Sequence, residues 1–271
     1  MQTNTELDQA FSVTDQQKAF FREHGWIKLK QVLSPETIDY YRKAITDAVE
    51  RLNTESRPLE QRDTYAKAFL QIMNIWTKDE TVKQFSLSRR LAGIASELMG
   101  SDGVRLYHDQ ALYKEPGGGH TPWHADQYYW PVDTPNTCTV WAPLQATPLE
   151  MGPLAFADKS QQFEIGRDLA ISDDSEKQLD AALKEHGFEQ IVEPFDLGEV
   201  SYHYGWTFHR AGANQTDRPR QVMTVIYVDA AATLVQPQNE NQKRDWETWC
   251  PGVEIGQAIA SPLNPLLWQR D

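Results

Sequence analysis

The sequence predicts an α+β protein in which helices come first and later strands close on themselves. Two observations lead to this class. The N-terminal third carries three segments whose apolar residues recur at helical spacing between capping and stop signals. From Val104 onward, short β-type runs alternate with Gly, Pro and Asn, and six or more strands after a block of helices favour a closed β-structure.

The predicted helices are bounded by end signals. Thr14 is an N-cap for the first helix, which ends at Gly25 and is followed by a strand-like stretch at Trp26–Lys30. Ser34 followed by a proline begins the second helix, and Gly100 ends the third. The helices are therefore expected at Thr14–Gly25, Ser34–Leu52 and Arg89–Met99.

The strands follow in the second part of the chain, where β-branched and aromatic residues are frequent. An acidic stretch with a helix from Ser175 interrupts them and is expected to be a solvated surface insertion. Three tryptophans of the C-terminal tail are expected to dock it onto the core. The predicted strands are Val104–Tyr113, Cys138–Gln145, Leu154–Ala157, Glu189–Val192, Glu199–Tyr204 and Gln221–Val228.

Charge and composition restrict the partners. With 26 basic and 39 acidic residues the net charge is −13, which repels nucleic acids and anionic membrane surfaces. No apolar run approaches the roughly 20 residues needed to span a bilayer, and no signal sequence is recognisable. Cys138 and Cys250 show no metal-binding or disulfide spacing. We expect a cytoplasmic monomer or homodimer that acts on a small molecule and binds neither nucleic acid nor membrane.

A histidine and an aspartate two residues apart, His124 and Asp126, form the sharpest local signal. Pro122 argues against a helix here, and in an extended strand side chains two residues apart project from one face. An imidazole beside a carboxylate makes half of a metal site. The spacing alone is weak evidence, because surface His–Asp pairs are common.

A third ligand has to come from elsewhere, and His209 lies at the end of a β-like run. Two histidines and one carboxylate leave three octahedral positions open, which suits a non-heme iron(II) that binds a chelating substrate and O2 together. Zinc is the rival metal. The zinc-protease pattern is absent, because three glycines and a proline prevent His120 and His124 from sharing a helix.

Arg220 is the decisive residue. It follows a cluster of turn formers and leads into an apolar strand, where it shares a face with Val222 and Ile226. A hairpin would set it beside His209. Burying its charge unpaired costs several kcal/mol, so an anionic partner is expected. The distal carboxylate of 2-oxoglutarate suits the guanidinium, and a structural salt bridge is the alternative.

Together these motifs resemble the phytanoyl-CoA dioxygenase family of iron(II)- and 2-oxoglutarate-dependent oxygenases. The likeness extends from Phe20 to Val228. It implies a double-stranded β-helix core of the jelly-roll or cupin type, with the N-terminal helices packed on one sheet. The family's metal-binding and oxoglutarate-binding motifs match, in chain order, His124, Asp126, His209 and Arg220.

The resemblance also implies one domain over residues 1–271. Residues 1–100 would form a helical support and residues 104–230 the β-helix core, with an insertion near 161–188 and a tail at 231–271. Two softer matches are Lys114 and Trp141, which resemble family residues beside the oxoglutarate; a solvated lysine and a core tryptophan are the plain alternatives. Ala211 departs from a serine often found in the family.

The implied reaction hydroxylates an unactivated C–H bond with O2 while 2-oxoglutarate becomes succinate and CO2. No side chain beyond the metal ligands has to act as an acid or base. The same chemistry on an acyl-CoA thioester, or a non-catalytic or zinc-binding β-barrel, are the alternatives. Four residues are pocket candidates, although packing in the core is the favoured interpretation for each: Gln127, Tyr128, Trp130 and Trp206.

Overall fold

The computed structural model describes residues 5–270. Within them, no helix is both long and apolar enough to cross a bilayer. The α-helices are α1 (Asp15–His24), α2 (Pro35–Leu52), α3 (Thr64–Ala68), α4 (Glu80–Ser86), α5 (Arg89–Met99), α6 (Asp173–Glu185) and α7 (Glu240–Trp249). The strands are β1 (Trp26–Leu29), β2 (Leu70–Met73), β3 (Gly103–Lys114), β4 (Thr121–His124), β5 (Thr137–Pro143), β6 (Leu154–Ala157), β7 (Gln190–Val192), β8 (Val200–Tyr204), β9 (His209–Ala211), β10 (Arg220–Asp229) and β11 (Leu266–Gln269).

Two antiparallel sheets form the core. The major sheet has seven strands in the order β1-β8-β5-β10-β3-β11, with β2 also paired to β3. The minor sheet has four strands in the order β4-β9-β6-β7. Side chains alternate across each strand, so the inner face of the major sheet faces the minor sheet and its outer face is free to take the helices. The predicted jelly-roll class is confirmed.

The N-terminal helices pack on the outer face of the major sheet, as predicted. Ile38 and Ile45 of α2 and Leu91 of α5 are buried in one cluster with Val140 and Val225 from the sheet. The predicted end signals are present. The Thr14 side chain accepts a hydrogen bond from the Gln17 backbone in a capping box, and Gly25 and Gly100 end their helices in the left-handed conformation.

The predicted strands agree with the structure to within one or two residues at most ends, but residues 64–86 had no assignment. They form α3, β2 and α4. Each is only four to seven residues long, which is too short for apolar periodicity to distinguish a helix from a strand.

Two further expectations need correction. His209 and Arg220 do not face each other in a hairpin, because β9 pairs within the minor sheet and β10 within the major sheet. The insertion is not simply a solvated excursion. Leu179 and Leu183 of α6 are buried with Trp123 and Phe208 against the minor sheet. The exposed acidic residues that suggested a solvated segment lie on the outer face of α6, away from its buried leucines.

The tail packs on the core, as its tryptophans predicted. Trp246 packs on a cluster that contains Tyr107 and Trp130, and Trp268 packs on the helical side of the major sheet. The side chains of α7 also reach the turn after β4, where Gln242 donates to the backbone carbonyl of Tyr128. The tail therefore closes one end of the space between the sheets.

Candidate active site

The two sheets bring three distant side chains together. His124 ends β4, and Asp126 begins the 3-10 turn that follows it. His209 begins β9 and is paired directly with His124 in the minor sheet. One possible metal-ligating atom from each residue lies within 4.8 Å of those of the other two.

The hydrogen bonds of both imidazoles direct one nitrogen toward the aspartate. Nδ1 of His124 lies 2.7 Å from the Pro122 carbonyl, and Nδ1 of His209 lies 3.0 Å from the Thr207 carbonyl. A carbonyl can only accept, so each Nδ1 carries the proton and each Nε2 keeps a free lone pair. The two Nε2 atoms lie 3.5 Å and 3.6 Å from Asp126 Oδ1.

The pKa values of His209 and Asp126 also favour the binding of a metal cation. Burial, followed by the charges of neighbouring histidines, holds the pKa of His209 well below its usual value. Burial by itself would raise the pKa of Asp126, but the His209 charge and hydrogen bonds from His124 and His203 hold it well below the usual range. The lowered pKa values favour a neutral His209 imidazole and an ionised Asp126 carboxylate, the forms that bind metal.

Residues of the major sheet bind the second carboxylate oxygen of Asp126, Oδ2. Thr139 Oγ1 donates to Oδ2 over 3.0 Å, and His203 Nε2 lies 3.4 Å from the same atom. These contacts orient Oδ1 toward the two histidines. His203 was not identified as a site residue from the sequence. Its inward-facing position in β8 was the signal that could have identified it.

Arg220 begins β10 and is 1% exposed. One guanidinium nitrogen donates 2.6 Å to the Gly152 carbonyl, whereas Nε has no hydrogen-bond partner among the described residues. No carboxylate of residues 5–270 forms a salt bridge with it. Burial lowers the pKa of Arg220 to about 9. The expected alternative, a structural ion pair, is thus absent from the described part of the chain.

Lys114 and Trp141 lie on either side of Arg220 in the major sheet. Lys114 is its direct partner in the β3–β10 ladder, is fully buried and donates to the Gly119 carbonyl. Burial, and then the charge of Arg220, lower the pKa of Lys114 to about 6. The guanidinium carbon of Arg220 lies 5.3 Å from the centre of the Trp141 ring. The guanidinium of Arg220 therefore lies beside a second basic group, Lys114, and the aromatic face of Trp141.

A cavity connects the three metal-ligating candidates with Arg220 and Trp141. Its empty volume is about 950 Å³, part of it open solvent. Of the predicted pocket residues, Trp130 lines it. The other three do not. Gln127 is tied into the turn by hydrogen bonds to Thr134 and Thr137, Tyr128 bonds α7, and Trp206 lines a separate surface groove.

Several cavity residues were not identified from the sequence. Tyr65, Phe69 and Gln71 come from the segment that had no assignment, and His108 comes from β3. Asp245 comes from α7. An isolated residue on a short element carries no local pattern, so only the packing of the tail and of residues 64–73 against the sheets shows these positions.

Comparison with known proteins agrees with the site. The model of the phytanoyl-CoA dioxygenase (PhyH) family matches residues 21–222, about three quarters of the chain. The chain belongs to this family. The predicted enzyme class, an iron- and 2-oxoglutarate-dependent oxygenase, is thereby confirmed. Comparison of the sequence with curated proteins gives no match.

Solved structures share the fold of this family member. The carbocyclase SnoK from nogalamycin biosynthesis is 24% identical, with a TM-score of 0.75 and coverage of 94% of this chain and 96% of that chain. The epimerase SnoN, in complex with Fe3+, alpha ketoglutarate and nogalamycin RO, is 22% identical, with a TM-score of 0.76 and coverage of 93% and 97%. EctD from S. alaskensis, with 2-oxoglutarate and 5-hydroxyectoine, is 20% identical, with a TM-score of 0.70 and coverage of 97% and 89%.

Proposed function

We propose that this family member hydroxylates an unactivated C–H bond of a small molecule, with 2-oxoglutarate converted to succinate and CO2. His124, Asp126 and His209 would hold iron(II). Arg220 would bind the distal carboxylate of 2-oxoglutarate, with Lys114 and Trp141 beside it. When bound, the iron would supply the activation of O2 that C–H hydroxylation requires.

One observation carries the proposal: a 2-His-1-carboxylate group faces the same cavity as a buried arginine that has no counter-ion among residues 5–270. Such an arginine is destabilising until an anion pairs with it. A dicarboxylate that chelates the metal at one end and reaches Arg220 at the other satisfies both groups. A hydrolase would explain the metal ligands but not Arg220.

The chain's own residues have positioning roles. The carbonyls of Pro122 and Thr207 fix the two imidazoles, and Thr139 fixes Asp126. The aromatic walls of the cavity would exclude water and hold the substrate near the metal. The binding energy of the substrate would in this way orient the reacting C–H bond. No general acid or base is needed for the hydroxylation.

A free metabolite is favoured over a coenzyme A thioester. Among the described residues that line the cavity, Arg220 is the single permanently cationic one, and it is committed to the co-substrate. The phosphates of coenzyme A would meet a chain of net charge −13. The catalytic unit draws on positions from Tyr65 to Asp245, which supports one domain over the whole chain.

The test is an anaerobic titration of the protein with iron(II) and 2-oxoglutarate, followed by visible absorption. We expect the weak charge-transfer band of the chelate in the wild type and its loss in His124→Ala and His209→Ala. Arg220→Ala should still bind iron and should weaken 2-oxoglutarate binding by about 10- to 100-fold, the cost of losing a charge-assisted contact.

His186→Ala is the matched control, since this exposed histidine at the end of α6 contacts only its own helix and the Phe163 ring. It should leave the band unchanged. A wild-type protein without the band, or a band that persists in both ligand variants, would remove the proposal. Unchanged 2-oxoglutarate affinity in Arg220→Ala would refute the role of Arg220 alone.

A further inference from the structure

The C-terminal tail contributes an acidic side chain to the cavity. Asp245 lies on α7 and lines the same cavity as the metal-ligating candidates. The hydroxyl of Tyr107 donates to Asp245 Oδ2, and no other side-chain hydrogen bond or salt bridge to its carboxylate is found among residues 5–270. One carboxylate oxygen therefore remains free to meet a ligand.

A β-bulge aims the Tyr107 side chain at the tail. Pairing between β10 and β3 runs from Ile226 opposite His108 to Tyr227 opposite Leu106, so Tyr107 is the extra residue. A bulge breaks the alternation of side chains. Leu106 packs under the helices on the outer face, whereas Tyr107 packs with the tail and His108 lies beside it on the same side of the sheet. The fold thus holds the Asp245 carboxyl at a defined place.

No cationic side chain among residues 5–270 forms an ion pair with this acid. His108, beside Tyr107, is held neutral because burial lowers its pKa to about 4, and its Nδ1 has no hydrogen-bond partner among the described residues. The nearby walls are aromatic, with Tyr129 and Trp130 lining the cavity. Carboxylates and aromatic faces both attract ammonium groups, whereas they offer nothing to an anion.

We propose that Asp245 is a substrate-binding residue and that the substrate is a small molecule with a cationic amine. The inference rests on the proposed function, since it places the amine in the cavity of the iron and 2-oxoglutarate site. The carboxylate binds the ammonium group and so orients the rest of the substrate toward the metal.

The protonation of Asp245 agrees with this role. Burial raises its pKa to about 8, so near neutral pH the free cavity contains mainly the protonated acid. An ammonium group stabilises the ionised form and restores the charge pair on binding. A substrate with a carboxylate would form no such charge pair with Asp245.

The test compares three probes of similar size: 2-phenylethylamine, 2-phenylethanol and 3-phenylpropanoate. Each is titrated calorimetrically into the protein loaded anaerobically with iron(II) and 2-oxoglutarate. We expect the amine to bind about 10- to 100-fold more tightly than the alcohol, the range of a charge-assisted contact, and the acid to gain no such advantage over the alcohol. In Asp245→Asn the amine and the alcohol should bind equally.

Asp102→Asn is the control, because it removes the same charge from an exposed site paired only with Arg270; the amine preference should persist in it. A wild-type protein that binds the alcohol as tightly as the amine, or none of the probes, overturns the inference without any variant. A preference that survives in Asp245→Asn also overturns it. The chelate band is recorded in each sample, so the two claims can be distinguished. Absence of the band would contradict the proposed function. A normal band without a preference for the amine would contradict only the role of Asp245 in substrate binding.

Discussion

Arg220, which is buried, and Asp245, which is partly exposed, lie on the walls of one cavity, and neither has an ionic partner among the described residues. Each lowers the stability of the free protein when it is ionised, because an isolated charge in a poorly solvated place is unfavourable. Residues that lower stability in this way are commonly retained for ligand binding. The two positions are best explained by two ligands, an anion at Arg220 and a cation at Asp245.

The raised pKa of Asp245 predicts a pH-dependent stability. The carboxyl ionises near pH 4 in the unfolded chain and at about pH 8 in the folded protein. Between these values the unfolded state has released the proton and the folded state has not, so rising pH favours unfolding. We expect Asp245→Asn to raise the melting temperature relative to the wild type at pH 9 and to change it much less at pH 4.

Melting curves of both proteins across this pH range, measured without ligands, provide the check. Asp102→Asn should run parallel to the wild type at every pH, because its carboxylate is exposed. A difference between Asp245→Asn and the wild type that does not grow with pH would show that burial does not perturb this carboxyl.

At the scale of elements, the turn before β6 positions both Arg220 and the end of the strand that begins at His209. Gly152 adopts a left-handed backbone with φ of 68°, and its carbonyl accepts the hydrogen bond of Arg220. A Cβ atom at this position would lie 2.2 Å from the Gly212 carbonyl oxygen, just beyond β9. The two chain segments approach this closely only because residue 152 has no side chain.

Gly152→Ala should therefore destabilise the protein by about 3 kcal/mol or more, the sum of left-handed strain and displacement of backbone. It should also weaken 2-oxoglutarate binding, since it moves the carbonyl that holds Arg220. Urea denaturation and the anaerobic titration measure the two effects.

Gly187→Ala is the matched control. Gly187 has a φ of 74°, and a Cβ there would meet no atom within 4 Å. It should cost about 1 kcal/mol, from backbone strain alone, and leave 2-oxoglutarate binding intact. Equal losses in the two variants would mean that the contact between Gly152 and Gly212 is unimportant.

At the scale of the whole molecule, the site joins the two sheets. His124 and His209 belong to the minor sheet or its edge, whereas Arg220 and Trp141 belong to the major sheet. Ligands bound between them should stabilise the folded state by an amount that grows with the logarithm of the ligand concentration above the dissociation constant. At one hundred times its dissociation constant, a ligand contributes about 2.7 kcal/mol.

We therefore expect iron(II), and then 2-oxoglutarate, each to raise the anaerobic melting temperature by about 5–10 °C at such concentrations. Removal of iron with a chelator should abolish both increments, because the co-substrate needs the metal. In Arg220→Ala the metal increment should remain and the second should shrink. A second increment of full size without metal would place the co-substrate elsewhere.

The sequence alone determined most elements of the fold and four residues of the candidate site. Helix ends follow from local chemistry, such as the hydrogen bond of Thr14 and the left-handed Gly25, and the strand positions follow from alternating apolar residues. His124, Asp126, His209 and Arg220 could be found because a specific spacing of chemically unusual residues stands out in one dimension.

The tertiary structure decided the rest. Sheet membership separates β9 from β10, although a turn joins them in the sequence, because strand pairing depends on the whole arrangement and not on chain order. Gln127 and Trp206 lie next to metal-binding motifs yet face away from the cavity, whereas Tyr65 and Asp245 lie far from them and line it. The set of side chains that line a cavity depends on how distant segments pack together. No local sequence pattern predicts it.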